Sequence, residues 1–357
     1  VCNVFDIAAY DYDLPETLIA QSPAAHRGQS RLLVMRRGQG DLSHRKVTDL
    51  PDLLCPSDLL VLNNTKVIRA RLRGVKETGG KAEVLILDYV SGIRAARDQG
   101  AFACRCLVKA SRPPAPGTRI LFGGGLSARV EASEEGMHVM RFSCGVEIDE
   151  ILDGIGEVPL PPYIRRHGAA RPACDDGKAY QTIYAERKGA VAAPTAGLHL
   201  SADLLARLAR KGVAVVPVTL HVGYGTFMPV RVGDIRRHRM HSEWYEVSEK
   251  TARTINLAKH EGRRIVAVGT TSVRTLEYAS DSQGRVEAGT GLCDLFIHPG
   301  YRFKVVDALM TNFHLPRSTL LMLVAAFAGR EKVLEAYGQA VERRYRFYSY
   351  GDAMLMV

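Results

Sequence analysis

A mixed or parallel sheet covered by helices, with a small β-barrel inserted in it, is the fold class that the sequence predicts: multidomain α/β plus β. Three observations carry this. At 357 residues the chain exceeds the usual reach of one hydrophobic core. Its middle part breaks into short apolar runs separated by turn residues. After residue 158, helix, strand and glycine-containing turn alternate. The predicted division is a discontinuous main α/β catalytic domain, residues 1–73 and 158–357, interrupted by an inserted β-barrel domain at residues 74–157.

In chain order, Leu59 to Leu62 and Val67 to Leu72 read as strands around the polar step Asn63-Asn64-Thr65. In the second strand Ile68, Ala70 and Leu72 face one side and Arg69, Arg71 and Arg73 the other, a row that could meet phosphates or simply be solvated. The barrel runs are Ala82 to Leu87, Phe102 to Val108, Arg119 to Phe122, Ala128 to Glu131 and Met137 to Phe142, with no helix signal among them. Val191 to Pro194 then reads as a strand, Ser201 caps a helix carrying Leu204, Leu205 and Leu208, and Gly212 ends it before the strand Val213 to Val222. A helix from Lys250 to His260, a buried strand from Arg264 to Val268, the turn Gly269-Thr270-Thr271 and a helix from Ser272 to Ala279 follow, with a last strand at Leu295 to His298. Near the end, the polar run Asn312 to Thr319 opens into nine apolar residues, Leu320 to Ala328. Nine helical residues cannot span roughly 30 Å of hydrocarbon, so this is a core helix, begun at Pro316 or Ser318 and stopped at Gly329.

Composition is that of an ordinary globular protein, and the N-terminal residues lack the pattern of a signal peptide. A cytoplasmic location without membrane attachment is the expectation. Seven cysteines, of which only Cys104 and Cys106 are close, read as free thiols, and no metal site is expected. The net charge of +10 is concentrated: residues 158–357 hold 28 Lys or Arg against 18 Asp or Glu. Such an excess suits a polyanion, because each neutralised phosphate releases counterions.

Three segments combine His or Thr with small residues at predicted strand ends: Pro194 to His199, Thr219 to Phe227, and Gly269 to Arg274. In a sheet fold they can share one crevice at the carboxyl ends of the strands. The turn at Gly269 lacks a P-loop lysine and the three-glycine dinucleotide fingerprint, so a carboxylate, ribose hydroxyl or phosphate fits its free N–H groups. Arg274 and Glu277 are spaced to pair with each other. In extended chain His241 and Glu243 face one way, as acid-base work would need, beside the only tryptophan, Trp244. No nucleophile elbow supports a hydrolase.

The blocks Pro159-Leu160-Pro161-Pro162-Tyr163-Ile164, Ala193-Pro194-Thr195-Ala196-Gly197-Leu198-His199 and Thr219-Leu220-His221-Val222-Gly223 are distinctive, as are Met240-His241-Ser242-Glu243, Gly269-Thr270-Thr271-Ser272-Val273-Arg274, Asn312-Phe313-His314-Leu315-Pro316 and Tyr345 to Asp352. With them the chain closely resembles the S-adenosylmethionine:tRNA ribosyltransferase-isomerases of queuosine biosynthesis, nearly end to end. Asn64 and Lys66 stand where the family pattern suggests Asp and Arg, Leu200 replaces a Phe, and Cys293 and His298 replace a Thr and a Tyr.

The resemblance implies transfer of the ribosyl part of S-adenosylmethionine to 7-aminomethyl-7-deazaguanine at the tRNA wobble position, giving epoxyqueuosine, adenine and methionine. S-adenosylmethionine is then a consumed co-substrate, no cofactor is permanently bound, and the partner is a tRNA with a GUN anticodon, met by a monomeric enzyme. Such chemistry asks for a general base, a proton donor for adenine and a dry pocket. On the resemblance, His199 and His221 are candidates for base or proton donor, with His314 and Glu243 in the catalytic set. Thr195, Thr270 and Thr271 are candidates for ribose or methionine oxygens, Arg274 for the methionine carboxylate, and Gly223, Phe227 and Asn312 for the same pocket, with Tyr163 or Phe227 against a base ring. The competing readings are a methyltransferase using the same donor, which lacks its usual glycine-rich opening here, and a noncatalytic RNA-binding protein, which leaves the His/Thr segments without a task.

Overall fold

The computed structural model describes residues 3–38, 41–134, 136–166, 174–227 and 230–357. A nine-stranded mixed sheet forms the main body. Its centre is four parallel strands in the order Ala214–Leu220, Leu59–Asn63, Ile265–Val268 and Ala308–Asn312. All five residues of Leu59–Asn63 are buried, as expected of a strand covered on both faces. Further strands extend both edges: Glu243–Val247 and Gly289–Cys293, both paired antiparallel, on one side, and on the other Ala353–Met356 antiparallel to Ala308–Asn312, then Arg31–Met35 parallel to Ala353–Met356, then Leu42–Lys46 antiparallel to Arg31–Met35. From Leu59–Asn63 the chain passes to one neighbour, Ala214–Leu220, and only later crosses to the other, Ile265–Val268. That reversal opens a crevice at the carboxyl ends of these strands.

A closed barrel of six strands, all antiparallel, spans Arg71–Lys76 to Met137–Ser143. Every predicted barrel run is a strand. Two helices were not expected there. Tyr89–Gln99 is capped by Asp88, whose carboxylate accepts the Ser91 N–H at 3.2 Å, and is stopped by Gly100 at φ 72°. Tyr89 and Gly92 are buried and Ile93 and Ala96 pack against the same core, so one face is apolar at helical spacing, although two of its four residues are as small as Gly and Ala; Phe102 packs where a Gly92 side chain would be. Ile148–Ile155 is the second.

The predicted strand Val67 to Leu72 is two strands, Thr65–Val67 and Arg71–Lys76. Thr65–Val67 pairs in parallel with Arg187–Ala190, which takes the place of the strand expected at Val191 to Pro194. The burial alternation around it holds, but Arg73 forms a two-point ion pair with Glu157 and Arg71 lies 3.7 Å from Glu83, so the arginine row is partly neutralised. Leu295 to His298 is not a strand either; the carbonyls of Cys293 and Leu295 accept from the Arg274 guanidinium, and the edge strand ends at Cys293.

The apolar helix is Thr319–Ala328, with Ser318 accepting the Leu321 N–H at 3.2 Å and Gly329, at φ 89°, ending it. Arg274 and Glu277 do not pair. Glu277 is buried and accepts the N–H groups of Lys304, Val305 and Val306 at 2.9–3.0 Å and the Tyr301 hydroxyl at 3.2 Å, fixing the approach to Ala308–Asn312. Glu277→Gln turns one of these acceptor oxygens into a donor facing donors, so unfolding stability in urea is expected to fall by about 1–3 kcal/mol.

Candidate active site

The crevice at the strand ends has a volume of about 700 Å³ including its mouth. Ile265–Val268 delivers Gly269, whose φ of 89° turns the chain directly into the helix Thr270–Tyr278. No side chain caps this helix, so its first N–H groups are available beside Thr270 and Thr271 in the crevice wall. Ala308–Asn312 contributes Thr311 and Asn312, then Phe313, His314 and Leu315. Ala192 to Ala196 form another wall, at the start of the 3-10 helix Thr195–His199, while Val222 and Thr226 follow strand Ala214–Leu220. Tyr163 and Tyr348 pack in a tilted pair with ring centroids 4.6 Å apart and complete the lining with Tyr180 and Ser349. Among the described residues the lining contains hydroxyls, aromatic rings, one amide and one imidazole, with no Asp, Glu, Lys or Arg.

Of the predicted site residues, Thr195, Thr270, Thr271, Asn312 and His314 meet on this crevice. The others stand behind or beside it. His199 is buried one hydrogen bond away, its Nε2 3.2 Å from Asn312 Nδ2. His221 stacks on Trp244 at 4.8 Å, with Nδ1 2.7 Å from the Thr65 hydroxyl. Glu243 does not face His241, which is exposed; it forms a buried ion pair with Arg274 and accepts from Gly223 N–H at 2.7 Å and the Thr226 hydroxyl at 3.2 Å. This network holds the wall segment Gly223 to Thr226 in place. Arg274 is consumed by Glu243 and two carbonyls. The Phe227 side chain lies outside the described residues.

Burial pushes the three histidines of this region down, His199 to about 4, His221 to about 4 and His314 to about 3, so each ring is neutral near pH 7. His314 Nε2 is 2.9 Å from the Thr311 hydroxyl, which orients the ring.

The family model described as queuosine biosynthesis protein matches residues 7–356. A relative from Syntrophotalea carbinolica, an S-adenosylmethionine:tRNA ribosyltransferase-isomerase, is 51% identical over 98% of this chain and 99% of its own length. Another of the same description, from an Anaeromyxobacter species, is 54% identical over 98% of both. The chain belongs to the S-adenosylmethionine:tRNA ribosyltransferase-isomerase family. A crystal structure of the S-adenosylmethionine tRNA ribosyltransferase from Thermotoga maritima is similar with a TM-score of 0.55 and 37% identity, covering 98% of this chain and 100% of that one.

In this ribosyltransferase-isomerase family member the departures at positions 64 and 293 are accommodated. Asn64 accepts the Thr219 hydroxyl at 2.7 Å and donates to Glu186 at 3.0 Å, a donation that an aspartate could not make. Cys293 is buried and packs beside Arg274. Lining residues that the sequence reading did not single out are Tyr180, Thr226, Thr311, Tyr348 and Ser349. Tyr348 has φ 71°, a conformation that no local pattern announces.

Proposed function

We propose that this crevice binds S-adenosylmethionine and carries out the family reaction, moving and isomerising its ribosyl part onto 7-aminomethyl-7-deazaguanine in the wobble position of a tRNA with a GUN anticodon. The products are epoxyqueuosine-tRNA, adenine and methionine. A base removes a proton from the ribose carbon beside the sulfonium, adenine leaves, the tRNA amine adds to the opened sugar, and closure of ring and epoxide expels methionine. The observation that carries the reading is that Thr195, Thr270, Thr271, Asn312 and His314 share a crevice whose wall, among the described residues, has no Asp, Glu, Lys or Arg. Beside a carboxylate, the sulfonium would be neutralised and its neighbouring carbon would hold its proton more firmly; in an uncharged, poorly hydrated wall the acidity is kept.

In this division of labour the methionine carboxylate sits at the uncapped N-terminus of Thr270–Tyr278, a role that Arg274, engaged with Glu243, does not fill. Thr195, Thr270 and Thr271 supply hydroxyls to the ribose. His314, the histidine in the wall, is neutral and therefore able to accept a proton. Residues 1–73 and 158–357 are assigned to the catalytic domain and 74–157 to the inserted barrel, whose first strand, Arg71–Lys76, straddles that boundary; the enzyme works as a monomer in the cytoplasm. Among the described residues no helix is long and apolar enough to cross a membrane.

The test is incubation with S-adenosylmethionine and an anticodon stem-loop carrying the aminomethyl base. Adenine and methionine should appear in equal amounts, matched to modified RNA. Release of S-adenosylhomocysteine with methylated RNA, or RNA binding without turnover, would replace this reading by one of its competitors. Raising salt from about 50 to 200 mM should weaken RNA binding far more than binding of S-adenosylmethionine, since the basic excess acts through counterion release.

A further inference from the structure

Asn312 ends strand Ala308–Asn312 and is 2% exposed, yet its carboxamide is only half satisfied. The Nδ2 group donates to the Tyr348 carbonyl at 2.9 Å and faces His199 Nε2 at 3.2 Å. A backbone carbonyl can only accept, so the amide cannot be turned round without losing that bond. His199 Nε2 is consequently the acceptor of the second N–H, which places the imidazole proton on Nδ1. Both hydrogens of the amide are thereby engaged, and Oδ1 remains buried with no protein partner. It belongs to a residue of the crevice wall. A buried acceptor left unpaired costs about 1–3 kcal/mol, a cost that a ligand N–H would remove.

Two features of the wall limit which donor that is. With no Asp or Glu among the described lining residues, an ammonium would be desolvated there without a protein counter-charge, whereas a neutral amine loses little. The tilted pair Tyr163 and Tyr348, which lines the crevice, offers aromatic surface to a heteroaromatic ring.

Resting on the ribosyl-transfer reading above, we propose that Asn312 Oδ1 reads the exocyclic amine of the purine of S-adenosylmethionine, and that His199 is a positioning residue that locks the amide in the orientation able to do so. The crevice thereby selects a 6-amino purine over a 6-oxo purine, whose oxygen would stand against Oδ1. The reading also accounts for a histidine that is buried, neutral and one residue removed from the cavity.

The experiment compares S-adenosylmethionine with its 6-oxo analogue, made by deamination of the purine, as substrates for the full chain. The wild-type protein should favour the amine by about 10- to 100-fold in kcat/KM, the range that one buried hydrogen bond supplies. Asn312→Ala and Asn312→Ser should bring this ratio to within about threefold of unity. His199→Gln, whose amide oxygen can still accept from Asn312, should keep the preference, while His199→Leu should lose most of it. The ratio is internal to each variant, so a merely destabilising substitution does not move it. Equal use of both purines by the wild-type protein overturns the proposal, and so does an undiminished preference in both Asn312 variants. An analogue lacking the α-amine should lose equally in wild-type and Asn312→Ala; a loss confined to the wild type would assign Oδ1 to the ammonium and overturn it too. Absence of any adenine release from S-adenosylmethionine would instead overturn the ribosyl-transfer reading itself.

Discussion

His314→Gln is expected to lower kcat by about 10²- to 10⁴-fold, the usual worth of a general base, while RNA and S-adenosylmethionine still bind. Glutamine can still bond to the Thr311 hydroxyl, so the wall is preserved and only the proton-accepting nitrogen is lost. His221→Gln provides the contrast. It breaks the stack on Trp244 and changes the contact to Thr65, neither of which lies on the crevice, so its kcat should stay within about tenfold while stability falls. Assays of both variants, alongside urea unfolding, decide the matter. A His314→Gln enzyme with near-normal kcat, together with an inactive but folded His221→Gln enzyme, would move the base to His221. The pH profile gives a second measure. A base held at about 3 is already unprotonated across pH 6–8, so kcat/KM should not rise with pH over that interval on its account.

The sequence made the central sheet legible because its strands are continuous apolar runs with glycine or polar stops. Leu59–Asn63 and Ile265–Val268 stand almost where alternation and turn chemistry put them, and Ser318, Ser201 and Gly329 cap as their positions suggest. The convergence of the segments at Thr195, Thr226 and Thr270 was also legible from their places at strand ends, whereas Asn312 joined the same pocket only through the family resemblance, because its strand has no announced start. What stayed hidden depended on pairing between distant segments. Sequence spacing set Glu243 beside His241 and Arg274 beside Glu277, yet one buried contact joins Glu243 to Arg274 and makes both wall supports. Likewise His199 carries a family motif but acts, in this arrangement, through Asn312. The helix Tyr89–Gln99 escaped although Tyr89, Gly92, Ile93 and Ala96 face the barrel at helical spacing, because Gly92 and Ala96 are too small to stand out as apolar positions between the short strand runs.

Acid should unfold this protein well before its carboxylates are protonated. His199, His221 and His314 have folded-state values of about 4, 4 and 3, against 6.5 when unhindered. Burial is the largest cause in each case. Between those values and 6.5 the unfolded chain binds more protons than the folded one, so stability increases with pH in that window. Their contribution is fully present above about pH 6.5 and drains as the pH falls toward 4. Each histidine gives a slope approaching about 1.4 kcal/mol per pH unit near pH 5, and the three together about 4, which two units of acidification turn into most of a typical domain's margin. Partial burial lowers His44, His138 and His238 as well, adding in the same direction. Urea midpoints at pH 7.5, 6.0 and 5.0 should therefore drop steeply with the m-value unchanged, and His221→Gln should flatten the dependence by about a third. Equal midpoints at pH 5.0 and 7.5 would mean that the histidines are hydrated or already charged in the native state. In that case His199 could not accept from Asn312, His314 could not begin as a base, and the chemistry assigned to the crevice would have to start from a different proton inventory.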